Sequence, residues 1–233
     1  MKTLLITGTD TDVGKTVLTT VLAAYWHQYR SDRSLGLMKL LQTGVGDDEH
    51  YQSLFAQKDT WEIVTPLKFK EPVAPPIAAE RENRAIALDV VWQTLTQLQQ
   101  NHEWVLVEAL GGLGSPVTAE LTVADLAGLW HLEAVLVVPV KLGAIAQAVA
   151  NVALARQTKV ILKGIILSCN RLEAEEKIED WAPTDLIQSL TQLPVLGVLP
   201  YLSTEQLKDL DYLAKVATNL NWEKLGLEPI KLK

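Results

Sequence analysis

The sequence predicts a doubly wound α/β fold, with a mainly parallel sheet of about seven strands and helices on both of its faces. Two observations support this prediction. Short apolar runs alternate with helical patterns along most of the 233 residues, which is the order of elements in an α/β domain. Runs such as Val105–Val107 and Val135–Val138 are apolar at every position, as strands are when helices cover both faces of a parallel sheet. We expect one domain over residues 1–233.

The same patterns place the individual elements. The predicted strands are Thr3–Thr7, Leu35–Leu40, Trp104–Glu108, Ala134–Val140, Gly164–Cys169 and Val195–Pro200. The predicted helices are Thr16–Tyr29, Ala87–Gln100, Ala144–Gln157, Thr184–Leu193 and Glu205–Asn219. We interpret Glu71–Pro76 as an ordered turn and Glu173–Pro183 as a charged surface excursion.

Composition restricts the class of function. A net charge of −7 argues against a nucleic-acid-binding surface. The apolar run Ala134–Val140 is too short for a membrane span, and the N-terminal apolar run leads straight into a loop, unlike a secretory signal. The single cysteine, Cys169, cannot form an internal disulfide, which suits a reducing compartment. We expect a cytoplasmic protein that binds neither nucleic acid nor membrane.

The most specific motif is the stretch Gly8–Thr16, between a predicted strand and a predicted helix. This setting is typical of a phosphate-binding loop, in which backbone N–H groups and the positive end of the helix attract phosphate. Lys15 would reach the outer phosphates, and the Thr16 hydroxyl would ligate Mg²⁺. The common pattern has one residue fewer between its glycines, Gly8 and Gly14 here. The alternative is a turn that only starts a helix.

Two charged residues stand at the ends of other predicted strands. Lys39 beside Lys15 would place two cations at a transferring phosphoryl group; the alternative is a surface lysine. Glu108 ends its strand directly before Ala109. A carboxylate at this edge of a sheet is costly to bury unless it is paired or bound to a cation, so Glu108 is either a Mg²⁺ ligand or the partner of a lysine.

An acidic cluster follows the second strand. Asp47 and Asp48 are candidates for a second carboxylate ligand of Mg²⁺, and the sequence does not choose between them. Read without the neighbouring motifs, the cluster is a solvated group of charges.

Three further strand ends carry polar or glycine-containing segments. Leu142, Gly143 and Ala144 form a second glycine-containing helix start, which can bind an anion such as a carboxylate. Asn170 and Pro200–Leu202 close the fifth and sixth predicted strands. They either contact a nucleotide base or form turns.

Taken together, these motifs resemble those of the dethiobiotin synthetases. The resemblance runs to about Leu202 and rests on residues 8–16, 38–44, 107–112, 140–143 and 196–200. The extra residue in the glycine loop is itself a mark of this family. The resemblance implies that ATP, Mg²⁺ and CO₂ close a ureido ring on 7,8-diaminononanoate in biotin biosynthesis. The route passes through a carbamate and a carbamic-phosphoric anhydride, and gives dethiobiotin, ADP and phosphate.

The resemblance also implies a role for each matching residue. Lys39 and Lys15 are the expected catalytic residues. The expected metal ligands are Thr16, Glu108 and one of Asp47 and Asp48. The expected ATP contacts are Asp12, Val13, Gly14, Lys15, Thr16, Asp47, Glu108, Gly111, Asn170, Pro200, Tyr201 and Leu202. The expected substrate contacts are Thr11, Thr43, Leu142, Gly143 and Ala144, the last three serving the neighbouring subunit of a homodimer.

Departures from the family pattern leave the diamine pocket open. Pro76 stands where a histidine is common, and Ala146 and Gln147 replace an Asn-His pair. Asp12 is shorter than the glutamate often found there. None of these changes removes a candidate phosphate or metal ligand.

The alternative from another class is a partitioning-type ATPase that switches with its nucleotide and binds a protein partner. Those proteins usually carry an additional lysine early in the loop, where this chain has Thr9, Asp10 and Thr11. A related amide-forming ligase would normally bring an amidotransferase domain, for which this chain is too short.

Overall fold

The computed structural model describes residues 2–56 and 60–226. Met1 and residues 227–233, which the predicted domain includes, lie outside the described residues. The strands are β1 Lys2–Gly8, β2 Leu35–Lys39, β3 Gln42–Thr43, β4 Trp61–Val64, β5 Lys68–Phe69, β6 Trp104–Glu108, β7 Glu133–Pro139, β8 Ile161–Ser168 and β9 Val195–Leu199. The α-helices are α1 Lys15–Tyr29, α2 Asp47–Phe55, α3 Pro75–Arg81, α4 Leu88–Asn101, α5 Val123–Leu129, α6 Ala144–Gln157, α7 Ile178–Trp181, α8 Thr184–Thr191 and α9 Leu210–Ala217.

Seven of the strands form a parallel sheet in the order β4-β2-β6-β1-β7-β8-β9, which confirms the predicted fold class. β6 lies between β2 and β1, so that Glu108 is in register with Lys39 on one side and Ile6 on the other. The carboxyl ends of parallel strands share one edge of the sheet, where ligands of open α/β sheets bind. The register therefore brings the charged ends of β2 and β6 together beside the loop that follows β1.

Helices cover both faces of the sheet, which explains why its strands are apolar throughout. Leu4 and Leu106 belong to a buried cluster that includes residues of α1 and α9. Leu5 and Val105, which point to the opposite face, belong to a second cluster that includes residues of α4, α5 and α6. In the described part of the chain, no helix has both the length and the apolar content needed to cross a membrane.

The structure interrupts one predicted helix and adds elements that the sequence patterns did not place. The predicted helix Glu205–Asn219 is interrupted, because Asp209 accepts a hydrogen bond from the Tyr212 N–H (3.0 Å) and so caps a new helix, α9. The excursion Glu173–Pro183 contains a 3-10 helix and the short helix α7. The acidic cluster after the second strand opens a helix, α2, whose first turn is acidic, as the helix dipole favours.

Candidate active site

A cleft of about 700 Å³ opens at the carboxyl edge of the sheet. The loops after β1, β2, β6, β8 and β9 border it. Most of the residues predicted from the sequence line this cleft: Thr11, Asp12, Gly14, Lys15, Thr16, Lys39, Thr43, Asp47, Glu108, Gly111, Asn170, Pro200, Tyr201 and Leu202. The predicted strand ends thus converge on one site.

The loop between β1 and α1 has the backbone of an anion site. Gly14 adopts a left-handed conformation (φ +102°) directly before α1, and a Cβ there would lie 2.3 Å from Ser168 Oγ. Only glycine meets both requirements, so the first N–H groups of α1 stay open to the cleft. Lys15 folds back over the loop, where its Nζ donates to the Asp10 carbonyl oxygen at 2.7 Å. Val13 is buried in the core, which leaves only its backbone for a ligand.

Three oxygen-bearing side chains meet at the floor of the cleft. The Thr16 hydroxyl lies 2.9 Å from Asp47 Oδ1 and 3.0 Å from Glu108 Oε1. Lys39 Nζ lies between the same two carboxylates, 2.5 Å from Asp47 Oδ2 and 2.8 Å from Glu108 Oε1. Glu108 is therefore paired with a lysine, as one interpretation of the sequence expected, and is also in contact with the hydroxyl that the other interpretation requires.

The charged groups of this cluster shift one another's pKa values. Burial alone would lower the pKa of Lys39, but Glu108 and Asp47 outweigh burial and raise it above its usual value. Burial raises the pKa of Glu108, whereas Lys39 holds the pKa of the less buried Asp47 below its usual range against the effect of burial. Burial also lowers the pKa of Lys15 to about 8, with Lys39 contributing to the same effect.

The donor set fits a small, hard cation. Two carboxylates and a hydroxyl supply oxygen only, which is what Mg²⁺ prefers, and three protein oxygens leave room for phosphate and water ligands. Among the described residues, no cluster of three His, Cys, Asp or Glu side chains could hold a metal by itself. Phosphate oxygens and water would therefore have to complete the coordination of a cation here.

The structure separates the two aspartates that the sequence left undecided. Asp48 turns away from the cluster: its carboxylate accepts from the Thr65 hydroxyl at 2.8 Å and is paired with Lys68. Its N–H donates to Gln42 Oε1 at 2.9 Å. Asp48 thus fixes the start of α2, and Asp47 faces Thr16.

Sequence reasoning missed Tyr51 and Gln42. Tyr51 is fully buried, and its hydroxyl donates to Glu108 Oε2. The Gln42 side-chain N–H groups donate to Gly44 O (3.2 Å) in the loop before α2 and to Glu49 Oε2 (3.0 Å) in the first turn of α2. The available signal was the four-residue spacing from Asp47 to Tyr51, which places both on one face once a helix is recognised.

The far end of the cleft is tied to the phosphate loop. Asn170 Nδ2 donates to the Asp12 carbonyl oxygen at 3.0 Å, and the Tyr201 N–H donates to Glu175 Oε1 at 2.7 Å. Leu202 is buried, whereas Tyr201 is partly exposed beside it. The end of the cleft remote from Lys39 therefore offers an apolar wall with backbone groups, as a nucleotide base requires.

The second glycine-containing helix start lies elsewhere. Leu142, Gly143 and Ala144 do not border the cleft of their own chain. Gly143 is left-handed (φ +88°) and precedes α6, and Leu142 is 77% exposed. Whatever binds at this helix start approaches from outside the chain's own cleft.

Comparison of the sequence with known proteins identifies relatives of this chain. An AAA domain family model matches residues 2–206. The ATP-dependent dethiobiotin synthetase of Synechocystis sp. is 61% identical and is aligned over 97% of this chain and 95% of its own length. The ATP-dependent dethiobiotin synthetase of Gloeothece citriformis is 64% identical and is aligned over 97% of this chain and 99% of its own length.

Solved structures with low sequence identity share the fold. The septum site-determining protein MinD complexed with Mg-ADP from Pyrococcus horikoshii has a TM-score of 0.63 at 14% identity and covers 99% of both chains. The ParA family ATPase from Chlorobium tepidum has a TM-score of 0.58 at 14% identity, over 97% of this chain and 96% of its own. At this identity, the likeness concerns the fold alone.

Proposed function

This chain belongs to the ATP-dependent dethiobiotin synthetase family, and we propose that the cleft at its sheet edge is the place where that family's reaction occurs. The enzyme uses ATP and CO₂ to close a ureido ring on 7,8-diaminononanoate, and the products are dethiobiotin, ADP and phosphate. The observation that carries our proposal is the convergence of Lys39, Asp47, Glu108 and Thr16 beside Lys15 and the phosphate loop.

We assign the metal ligands to Thr16, Asp47 and Glu108. Their oxygens already meet at hydrogen-bonding distances, whereas the carboxylate of Asp48 is occupied by Lys68 and Thr65. When bound, Mg²⁺ would neutralise charge on the outer phosphates of ATP. The first turn of α1 and Lys15 would hold those phosphates, and the region of Asn170 and residues 200–202 would hold the base.

Lys15 and Lys39 have different roles in the proposed reaction. One amine of the diamine first bonds to CO₂ and loses a proton, which gives a carbamate. A carbamate oxygen is a poor leaving group, so it then takes the γ-phosphoryl group of ATP while ADP departs. Lys15 would bind the outer phosphates, and Lys39 would stabilise the charge that the transferring group shares in the transition state. The second amine then attacks the carbamate carbon and loses a proton, phosphate leaves, and the new C–N bond closes the ring. The protein contributes alignment and charge rather than covalent chemistry.

We further propose a homodimer in which each cleft is completed by the neighbouring subunit. Thr11 and Thr43 would contact the diamine from the same chain that binds ATP. The start of α6 at Leu142–Ala144 would bind the substrate carboxylate of the neighbouring cleft through its free N–H groups. In support, Leu142 precedes this helix and Val149 lies on it, and both are apolar and exposed.

The free and buried Cys169 supports a cytoplasmic location, where ATP is supplied and thiols stay reduced.

Product analysis tests the proposed function. ADP formation by the purified chain with ATP and Mg²⁺ should depend on both 7,8-diaminononanoate and bicarbonate, and should equal the dethiobiotin formed. ATP hydrolysis that is indifferent to the diamine and is stimulated by a protein or DNA would instead support a partitioning-type switch.

A further inference from the structure

The two oxygens of the Glu108 carboxylate have different surroundings. Oε1 faces the cleft floor, 3.0 Å from Thr16 Oγ1 and 2.8 Å from Lys39 Nζ. Oε2 lies on the buried side, where it accepts the hydrogen bond of the Tyr51 hydroxyl. The carboxylate is 1% exposed, so water does not compete for either oxygen.

One short helix fixes both sides of the cation site. Asp47 is the first residue of α2, and Tyr51 lies one turn later on the same face. The Tyr51 side chain is fully buried, and Phe55 of the next turn is buried in the core beside it. The phenol therefore has no freedom to leave Glu108 without moving the helix that also carries Asp47.

We propose that Tyr51 is a positioning residue that makes the site selective for Mg²⁺ over Ca²⁺. Because the phenol occupies Oε2, Glu108 presents a single oxygen to the cation, next to the hydroxyl of Thr16. Mg²⁺ binds one oxygen of each carboxylate in a compact octahedron. Ca²⁺ takes six to eight ligands at longer distances and often binds both oxygens of a carboxylate. Holding Oε2 away thus withholds a ligand that only the larger ion would use. The inference rests on the metal site of the proposed function.

The substitution Tyr51→Phe tests this role, because it removes one oxygen and keeps the ring. The measurement is calorimetric titration with Mg²⁺ and with Ca²⁺, in the presence of a non-hydrolysable imido analogue of ATP. We expect the ratio of Mg²⁺ to Ca²⁺ affinity to fall by about tenfold, the lower end of the effect of losing a partner of a metal ligand. The matched control is Tyr212→Phe on α9, where the tyrosine is partly exposed, and the ratio should stay as in the unaltered chain. An unchanged ratio in Tyr51→Phe, or an equal loss for both ions, would overturn the inference.

A spectroscopic measurement leaves Tyr51 unchanged. In chains carrying ¹³C-labelled glutamate, infrared difference spectra between metal-free and Ca²⁺-loaded protein show how the glutamate ligands bind, since one-oxygen and two-oxygen ligation split the carboxylate stretches differently; the band that is missing in Glu108→Gln belongs to Glu108. We expect the one-oxygen pattern, and a two-oxygen pattern would contradict the role of Tyr51. The variant Glu108→Gln separates the two proposals: if it leaves Mg²⁺ binding unchanged, the metal site itself is misplaced, whereas if it weakens Mg²⁺ binding, a failed Tyr51 test concerns Tyr51 only.

Discussion

Two helices of this chain begin in the same way and end up in opposite surroundings. Gly14 before α1 and Gly143 before α6 both adopt a left-handed conformation and leave the first N–H groups of their helices uncapped by a side chain. A Cβ on Gly14 would collide with Ser168, whereas a Cβ on Gly143 would meet no atom of the described residues within 4 Å. The two helix starts thus share a backbone conformation, and of the two only the start of α1 is enclosed by other described residues.

The difference shows what a helix start needs before it becomes a site. Around α1, the ends of β2 and β6 add Lys39 and Glu108, so the phosphates and their counter-ions would have partners within one chain. Around α6, Leu142 points into solvent. Such a helix start becomes enclosed only when another molecule packs against it. In the proposed homodimer, the cleft of the neighbouring subunit does so.

Mixing two inactive variants gives the largest expected effect and tests the comparison directly. Lys15→Ala damages the enclosed start and Gly143→Trp the open one, so each variant alone should lose nearly all dethiobiotin formation. A mixed dimer would hold one site with both defects and one intact site. After random exchange, we expect about a quarter of the unaltered activity to return, as two-fold symmetry predicts.

Subunit exchange must be verified with differently tagged chains. If exchange is complete and no activity returns, the two helix starts serve the same subunit or the substrate carboxylate binds elsewhere, and the comparison fails.

Replacing Lys39 tests whether the chemistry proposed at the start of α1 depends on the lysine at the end of β2. Lys39→Ala should lower the turnover number by a factor on the order of 10² or more, because a contact to the transferring group is lost. The control is Lys177→Ala, an exposed lysine that pairs with Asp180. Turnover that survives in Lys39→Ala would make Lys39 a structural partner of the two carboxylates.

Comparing Glu108→Gln with Asp48→Asn sharpens the assignment of the cation site. Glu108→Gln should raise the Mg²⁺ concentration needed for half-maximal activity by roughly tenfold or more, since a charged ligand is lost. Asp48→Asn should change this value far less, because Asp48 faces Lys68 and Thr65. Equal metal titrations for the two variants would remove Glu108 from the ligand set.

The smallest expected effect is the pH dependence of ATP binding. It concerns α1 alone, because α1 begins with a lysine, which can titrate, whereas α6 begins with an alanine. Burial lowers the pKa of Lys15 to about 8 in the free chain, whereas phosphates favour its charged form. Binding should therefore take up a proton above pH 8, and affinity should fall as the pH rises through that value, by about tenfold between pH 7 and pH 9.

Calorimetry in buffers of different ionisation enthalpy measures the proton uptake. In Lys15→Arg the charge persists throughout this range, so the dependence should flatten. A dependence that survives in this variant belongs to another group.

Much of the enclosed half of the site was predictable from the sequence, because several of its residues stand at or just after the end of an apolar run. Lys39, Glu108 and the loop from Thr11 to Thr16 needed only the rule that parallel strands end at one edge. The acidic cluster was harder: α2 was not predicted, and without it nothing ordered Asp47 relative to Asp48. The contact between Tyr51 and Glu108 joins residues 57 positions apart, and only the packing of α2 brings them together.

The open half illustrates a different limit. The sequence predicts a helix start at both glycines, from a local glycine signal that is weaker at Gly143 than in the loop that ends at Gly14. The feature that distinguishes them is the environment, and sequence spacing does not encode which surfaces of a chain meet a second copy.

Lys39 gives the resting enzyme an internal counter-ion. Its ammonium group stands between Asp47 and Glu108, so one positive charge is shared by two carboxylates before any ligand arrives. In the proposed metal site, a cation held by Thr16, Asp47 and Glu108 would compete with this ammonium group for the same two carboxylates. Metal binding would therefore weaken the ion pairs that hold Lys39, and the lysine proposed for catalysis would be freed only when the metal is bound.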